Sequence, residues 1–161
     1  MDIKDALKGQ YLAAFRMLRE CVTVCPPEMW LSGQPPREFW KIAYHAVFYG
    51  HLYMGQGVDV FKPFRLHEDA AHDLHKEHES PAKPLAQEEV LEYIDEVMAS
   101  INSTVDGLDL DTEDPGFPWY KNINKLEHEV LSIRHIQGHV GQLSELLMAK
   151  GIDTSWISRR A

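Results

Sequence analysis

The stretch RHIQGHVGQLSELL, Arg134 to Leu147, decides the fold. Its apolar residues recur at the three-and-four spacing of a helix, and it carries two histidines one turn apart, His135 and His139. At about 100° per residue, with His135 at zero, His139 lies at about 40° and Leu146 at about 20°. Leu143 and Ile136 follow at about 80–100°, then Leu147, Val140 and Ile133 at about 120–160°. Arg134, Gly138, Gly141 and Glu145 take the opposite side. Both imidazoles therefore stand on the edge of the apolar stripe, pointing into the core or along its rim.

The same pattern extends from about Ile123 to Lys150, where Gly151 stands in the usual stop position. Three more helices read out of the rest of the chain. Residues 3 to about 25 place Leu7, Tyr11, Ala14, Leu18, Cys21 and Cys25 on one stripe, ended by Pro26 and Pro27. REFWKIAYHAVFYGHLYM, Arg37 to Met54, is apolar nearly all round, which predicts burial on several sides. A further helix starts near PLAQEEV, with acids in its first turn, and runs to about Val105. Long connections follow the second and third helices, so neighbouring helices can run parallel. With no alternating strands and no internal repeat, the expectation is one all-α domain over residues 1–161, a four-helix bundle.

Composition removes several function classes. The chain has 161 residues and a formal net charge of -9, with no basic cluster, so phosphate-directed nucleic-acid binding is not expected. No apolar run approaches the roughly 20 residues of a membrane span. MDIKDALKGQYLAAF carries charges where a secretion signal needs an apolar run, so a cytoplasmic location is expected. Cys21 and Cys25 lie one turn apart on a helix, a poor geometry for a disulfide, and read as core thiols. There is no Ser-His-Asp arrangement, glycine-rich phosphate loop or zinc-finger spacing.

Buried imidazoles need partners, since each ring carries a donor and an acceptor. An i, i+4 pair on a helix is the geometry of two-histidine metal sites, but such pairs also occur as interfacial residues bonded to backbone or water. His45, on the apolar second helix, is either a core histidine bonded to a carbonyl or to Tyr49, or the third nitrogen of a metal site. Three nitrogens and an open position suit a catalytic divalent metal. His51 lies about 120° from His45 on its helix and cannot face the same metal. Gln142, beside His135 on the wheel, is either a rim residue or one that orients a ligand from behind.

RHIQGHVGQLSELL is similar to the last helix of the DinB-like superfamily, whose pattern is His-x-x-x-His-x-Gly-Gln-Leu. FWKIAYHAVFYGHLYM resembles the second helix of that superfamily, PLAQEEVLEYIDEVMASI the third, and LLMAKGIDTSWISR the tail. The likeness runs in order over nearly the whole chain. It implies a four-helix bundle with two parallel-running neighbours and a metal held by His45, His135 and His139. Many members carry a histidine just before the last ligand, where this chain has Gly138.

The resemblance also implies zinc or nickel first, with iron, cobalt or manganese as alternatives. The activity it implies is a thiol-dependent S-transferase or a hydrolase, working on a low-molecular-weight thiol and a small electrophilic substrate, in a homodimer. The alternative reading is a non-catalytic, stress-associated bundle whose metal is structural or vestigial. Of the remaining residues, His128 is expected at the surface or facing a loop. HEDAAHDLHKEHE, with His67, His72, His75 and His78, is expected to be a solvated segment. Trp119 and Tyr120 are expected to anchor a loop or to cover the site.

Overall fold

The computed structural model describes residues 2–159, and every regular element among them is helical. Four long helices carry the core: α1 (Ile3–Val24), α3 (Phe39–Met54), α4 (Gln87–Asp106) and α5 (Lys125–Met148), with a one-turn α2 (Pro27–Trp30) after α1. Their ends follow from local chemistry. Asp2 caps α1 by accepting from the Asp5 N–H. Pro27 opens α2 where its missing N–H costs nothing. Asn124 and Glu127 form a reciprocal capping box at the start of α5. The Glu89 carboxylate accepts the Ala86 N–H at 2.7 Å before α4. α3 starts at Phe39 and α5 spans Lys125–Met148, each a little shorter than the sequence pattern reads.

α1 packs on α4 and α5, and α3 packs on the same two helices, so the four form a closed ring around one core. The side-chain pairs give the directions. Tyr11, Met17 and Cys21 meet Glu129, Gln137 and Ser144 in rising order, so α1 and α5 run parallel. Lys8 and Arg19 meet Asp106 and Asp95 in falling order, so α1 and α4 run antiparallel. Arg37, His45 and Gly55 meet Gln142, His135 and Lys125, so α3 and α5 are antiparallel. α3 and α4 then share a direction. The parallel neighbours that the long connections permit are present, α1 with α5 and α3 with α4.

α3 is the most enclosed helix, buried at every position from Phe39 to Phe48. The closeness of α1, α3 and α5 depends on Gly50: a Cβ there would stand 2.8 Å from Phe15 Cζ and 2.9 Å from Ile136 Cδ1. The close helix packing of α3 against α5 is what sets His45 opposite His135. Cys21 and Cys25 are buried free thiols, as read from the sequence. Among the described residues no helix is long and apolar enough to cross a membrane.

The connections are less plain. Residues 55–86 contain only two short 3₁₀ turns, Val58–Val60 and Asp69–Ala71. They are nevertheless packed: Phe64, Ala71, Leu74, Ala82 and Leu85 are all core residues. The segment 67–78 is thus not simply solvated. His75 is exposed, but His67, His72 and His78 are half-buried. His67 and His72 both stack on Phe48 of α3, at 4.7 and 4.3 Å between ring centroids. A wheel cannot show this, because the segment is not a helix and α3 supplies the platform.

Candidate metal centre

His45 from the middle of α3 and His135 and His139 from the middle of α5 converge on one point. Their nearest ring nitrogens all lie within 4.8 Å of one another, close enough to hold one metal ion. His135 Nε2 is 3.2 Å from His45 Nε2 and 3.1 Å from His139 Nε2. A tetrahedral ion with metal–nitrogen bonds of about 2.0 Å has ligand–ligand edges of about 3.3 Å, so the spacing fits a single first-row ion. His45 is buried, whereas His135 and His139 are half-buried, so the cluster opens toward the surface on the α5 side.

The other ring nitrogens decide which atoms carry the lone pairs. His45 Nδ1–H donates to the His72 carbonyl at 2.6 Å. His139 Nδ1–H donates to Gln142 Oε1 at 2.9 Å. Both rings therefore turn an unprotonated Nε2 inward, the form a metal takes. Of the two bonds weighed for His45, the one to a carbonyl is present on one edge, Tyr49 makes only a ring contact at 4.6 Å, and the other edge still faces the cluster. Gln142 stands behind His139, not His135, and its Oε1 also accepts from Arg37 Nη2 at 3.4 Å.

Burial keeps the rings neutral. It pushes the His45 pKa down to about 3, against the upward pull of the His72 carbonyl and helped by the neighbouring histidines. Burial, then His139, pushes His135 down to about 4. His139 is lowered by burial too, with Gln142 opposing and the Arg37 charge adding. His45 and His139 thus turn lone pairs toward His135 Nε2, so either a hydrogen on that nitrogen or a shared cation lies between them.

His51 faces away from the cluster, paired with Tyr93 Oη at 3.0 Å, as the 120° offset requires. His128 departs from its expected place. It is fully buried, enclosed by Tyr53, Phe117 and Tyr120 at 4.6–5.1 Å between centroids. Phe117 and Tyr120, which close over it, come from the connection before α5. Tyr120 and Trp119 thereby act as anchors for that connection, with the Trp119 ring half exposed against Phe117.

Sequence reasoning also passed over a buried polar group one to three turns before His135. Lys125, Glu129 and Ser132 have no exposed surface. Tyr11 donates to Glu129 Oε2 at 2.6 Å, and Lys125 Nζ sits 2.8 Å from Glu129 Oε1 while donating to the Gly55 carbonyl. The signal was present in the spacing, since positions 125, 128, 129, 132, 135 and 139 continue one face of α5.

A groove of about 680 Å³ runs beside the cluster between the α2–α3 segment and α5. Gln142 and Arg37 lie on its edge, Ile42 on its floor, and Gly138 and Gly141 have nothing within 4 Å where a side chain would stand. Leu146, which the wheel sets on the histidine face, is 43% exposed and lines this groove rather than the core.

Comparison of the chain with protein-family models, with curated proteins and with solved structures finds no match.

Proposed function

We propose that this protein is a DinB-like four-helix bundle that binds one divalent metal through His45, His135 and His139 and uses it as a thiol-dependent S-transferase. The observation that carries the proposal is the convergence of three ring nitrogens within 4.8 Å, with His135 Nε2 at 3.2 and 3.1 Å from the other two, near the edge length of a tetrahedral site. Zinc and nickel are the preferred ions for three neutral imidazoles, ahead of iron, cobalt and manganese. A bound ion supplies Lewis acidity at a position the three histidines leave open, lowering the pKa of a coordinated thiol or water.

The chain's own residues would do the rest. The His72 carbonyl and Gln142 hold two of the rings in the ligand tautomer. Arg37, 3.4 Å from Gln142, places a positive charge at the mouth of the groove, where the carboxylate of a low-molecular-weight thiol would lie. The apolar floor at Ile42 suits a small electrophile. A test is thiol transfer from bacillithiol, mycothiol and glutathione to a panel of electrophiles. Turnover above that of chelator-stripped protein supports the proposal; no difference for any pair counts against the transferase step.

One observation favours the second reading, a non-catalytic protein with a structural metal. Tyr49, the ionisable neighbour of His45, has its pKa raised by burial and by Asp73, so at neutral pH it holds its proton and offers no base. Chemistry at this site then depends wholly on what the ion activates.

A further inference from the structure

The groove beside the cluster holds two opposite charges, and neither is neutralised by the protein. Arg37 and Glu145 both line it, and neither forms an ion pair with any described residue. The Arg37 guanidinium rests on Gln142, with Nη2 at 3.4 Å from Oε1. Glu145 stands three residues beyond Gln142 on α5, and residues so spaced are neighbours at about 5–6 Å between Cβ atoms. A cation and an anion are thus set around Gln142 in one groove without bonding to each other.

The rest of the lining suits apolar matter. Met29 and Ile42 are core residues that reach the groove, and Leu146 stands partly exposed in it. At Gly138 and Gly141 nothing lies within 4 Å of the place a side chain would take, so the helix backbone is bare there. The volume of about 680 Å³ is that of a small-molecule site.

Charge complementarity narrows the ligand. A simple anion pairs with Arg37 but lies against the Glu145 carboxylate, and a simple cation has the converse problem. An α-amino-acid head carries a carboxylate and an ammonium one carbon apart and answers both charges at once. Its side chain is then left to lie on the apolar wall.

We propose that the groove recognises the α-amino-acid head of its ligand, with the carboxylate on Arg37, the ammonium on Glu145 and an apolar sulfur substituent against Met29, Ile42 and Leu146. This rests on the thiol-transfer reading and narrows it. The thiol is one with a free amino-acid head, and N-acylated thiols are discriminated against.

The test is an NMR titration of the ¹⁵N-labelled protein in chelator with S-benzyl-L-cysteine, which has the zwitterionic head, an apolar body and no free thiol. The amides of Gly138 and Gly141 report occupancy of the groove. Both are expected to shift saturably, with a Kd of about 1 mM, what a ligand of this size reaches at ordinary efficiency. N-acetyl-S-benzyl-L-cysteine lacks the ammonium and S-benzyl-L-cysteine methyl ester lacks the carboxylate. Each is expected to bind about fivefold more weakly, the worth of one accessible ion pair. Glu145→Gln is expected to abolish the penalty for acetylation and keep that for esterification, and Arg37→Gln to do the reverse. The wild-type ligand series decides alone should a variant not fold.

No shift at either glycine up to about 10 mM overturns the inference. Equal binding of the three ligands, or variants that weaken all three alike, also overturns it. Chelator keeps metal out of the titration, so the two readings fail separately. A chain that holds no metal but keeps this ligand order loses the metal reading alone, and a metal-holding chain whose groove ignores the head's charges loses this one.

Discussion

His45 donates its Nδ1–H to the carbonyl of His72, 2.6 Å away and 27 residues later in the chain. The bond ties the connection 55–86 to the three-histidine cluster. It also explains why that connection packs: the His72 ring stacks on Phe48, one turn after His45 on α3, and so delivers its own carbonyl to the ligand.

Phe48→Ala removes the platform for both His67 and His72. Truncating a buried aromatic costs about 3–5 kcal/mol, so the melting temperature is expected to fall by about 10 °C. Metal affinity is expected to fall as well, because the His72 carbonyl loses its fixed position. Chemical denaturation and chelator competition on the same variant measure the two effects.

Gln142→Ala removes the acceptor behind His139. Gln142 is exposed, so stability is expected to change little. Metal affinity is expected to weaken about 10–100-fold, as for other partners of ligating histidines. A variant that retains wild-type affinity would mean that His139 does not need an oriented ring.

The pH dependence follows from three buried histidines. Burial lowers His45 to about 3 and His51 and His135 to about 4. In the unfolded chain each titrates at about 6.5. As pH falls below about 6.5 the unfolded state takes up protons that the folded state refuses, so stability drains away down to the folded values. Metal-free protein is therefore expected to be most stable above about pH 6.5 and to lose melting temperature steadily toward pH 4. His51→Gln should flatten that loss without touching the cluster, since His51 contacts Tyr93 instead. Melting curves in chelator at several pH values check both statements.

Lys125 and Glu129 form an ion pair with no exposed surface. Removing one partner of such a pair strands the other charge and costs about 3–5 kcal/mol. Glu129→Ala is expected to lower the melting temperature by about 10 °C. Replacing both residues with methionine or leucine is expected to restore most of that stability. If the single substitution is harmless, the pair is not enclosed as described.

Much of this was legible in the sequence, and the failures have a common cause. The stripe on α5 places Ile136, Val140, Leu143 and Leu147 in the core and Arg134, Gly138, Gly141 and Glu145 outside, and the structure agrees at each. The apolar surroundings of His45 announced its burial, and the three histidines that the DinB-like resemblance implied lie together. What failed involved irregular chain. His128 is buried by Phe117 and Tyr120, which reach it from a loop. His72 is ordered by Phe48 across a connection with almost no regular structure. Leu146 lies on the histidine face yet lines a groove, because the α2–α3 segment stands off from it there. Helical periodicity reports which face of a helix points inward; it does not report what a loop lays over that face.

The most direct test of the account is the metal content of wild-type protein, purified without an affinity tag, beside His139→Ala. Elemental analysis is expected to find one divalent ion per wild-type chain and far less in the variant, with circular dichroism showing the variant still helical. Wild-type protein with no stoichiometric divalent metal, or a folded His139→Ala that holds as much as the wild type, would contradict it.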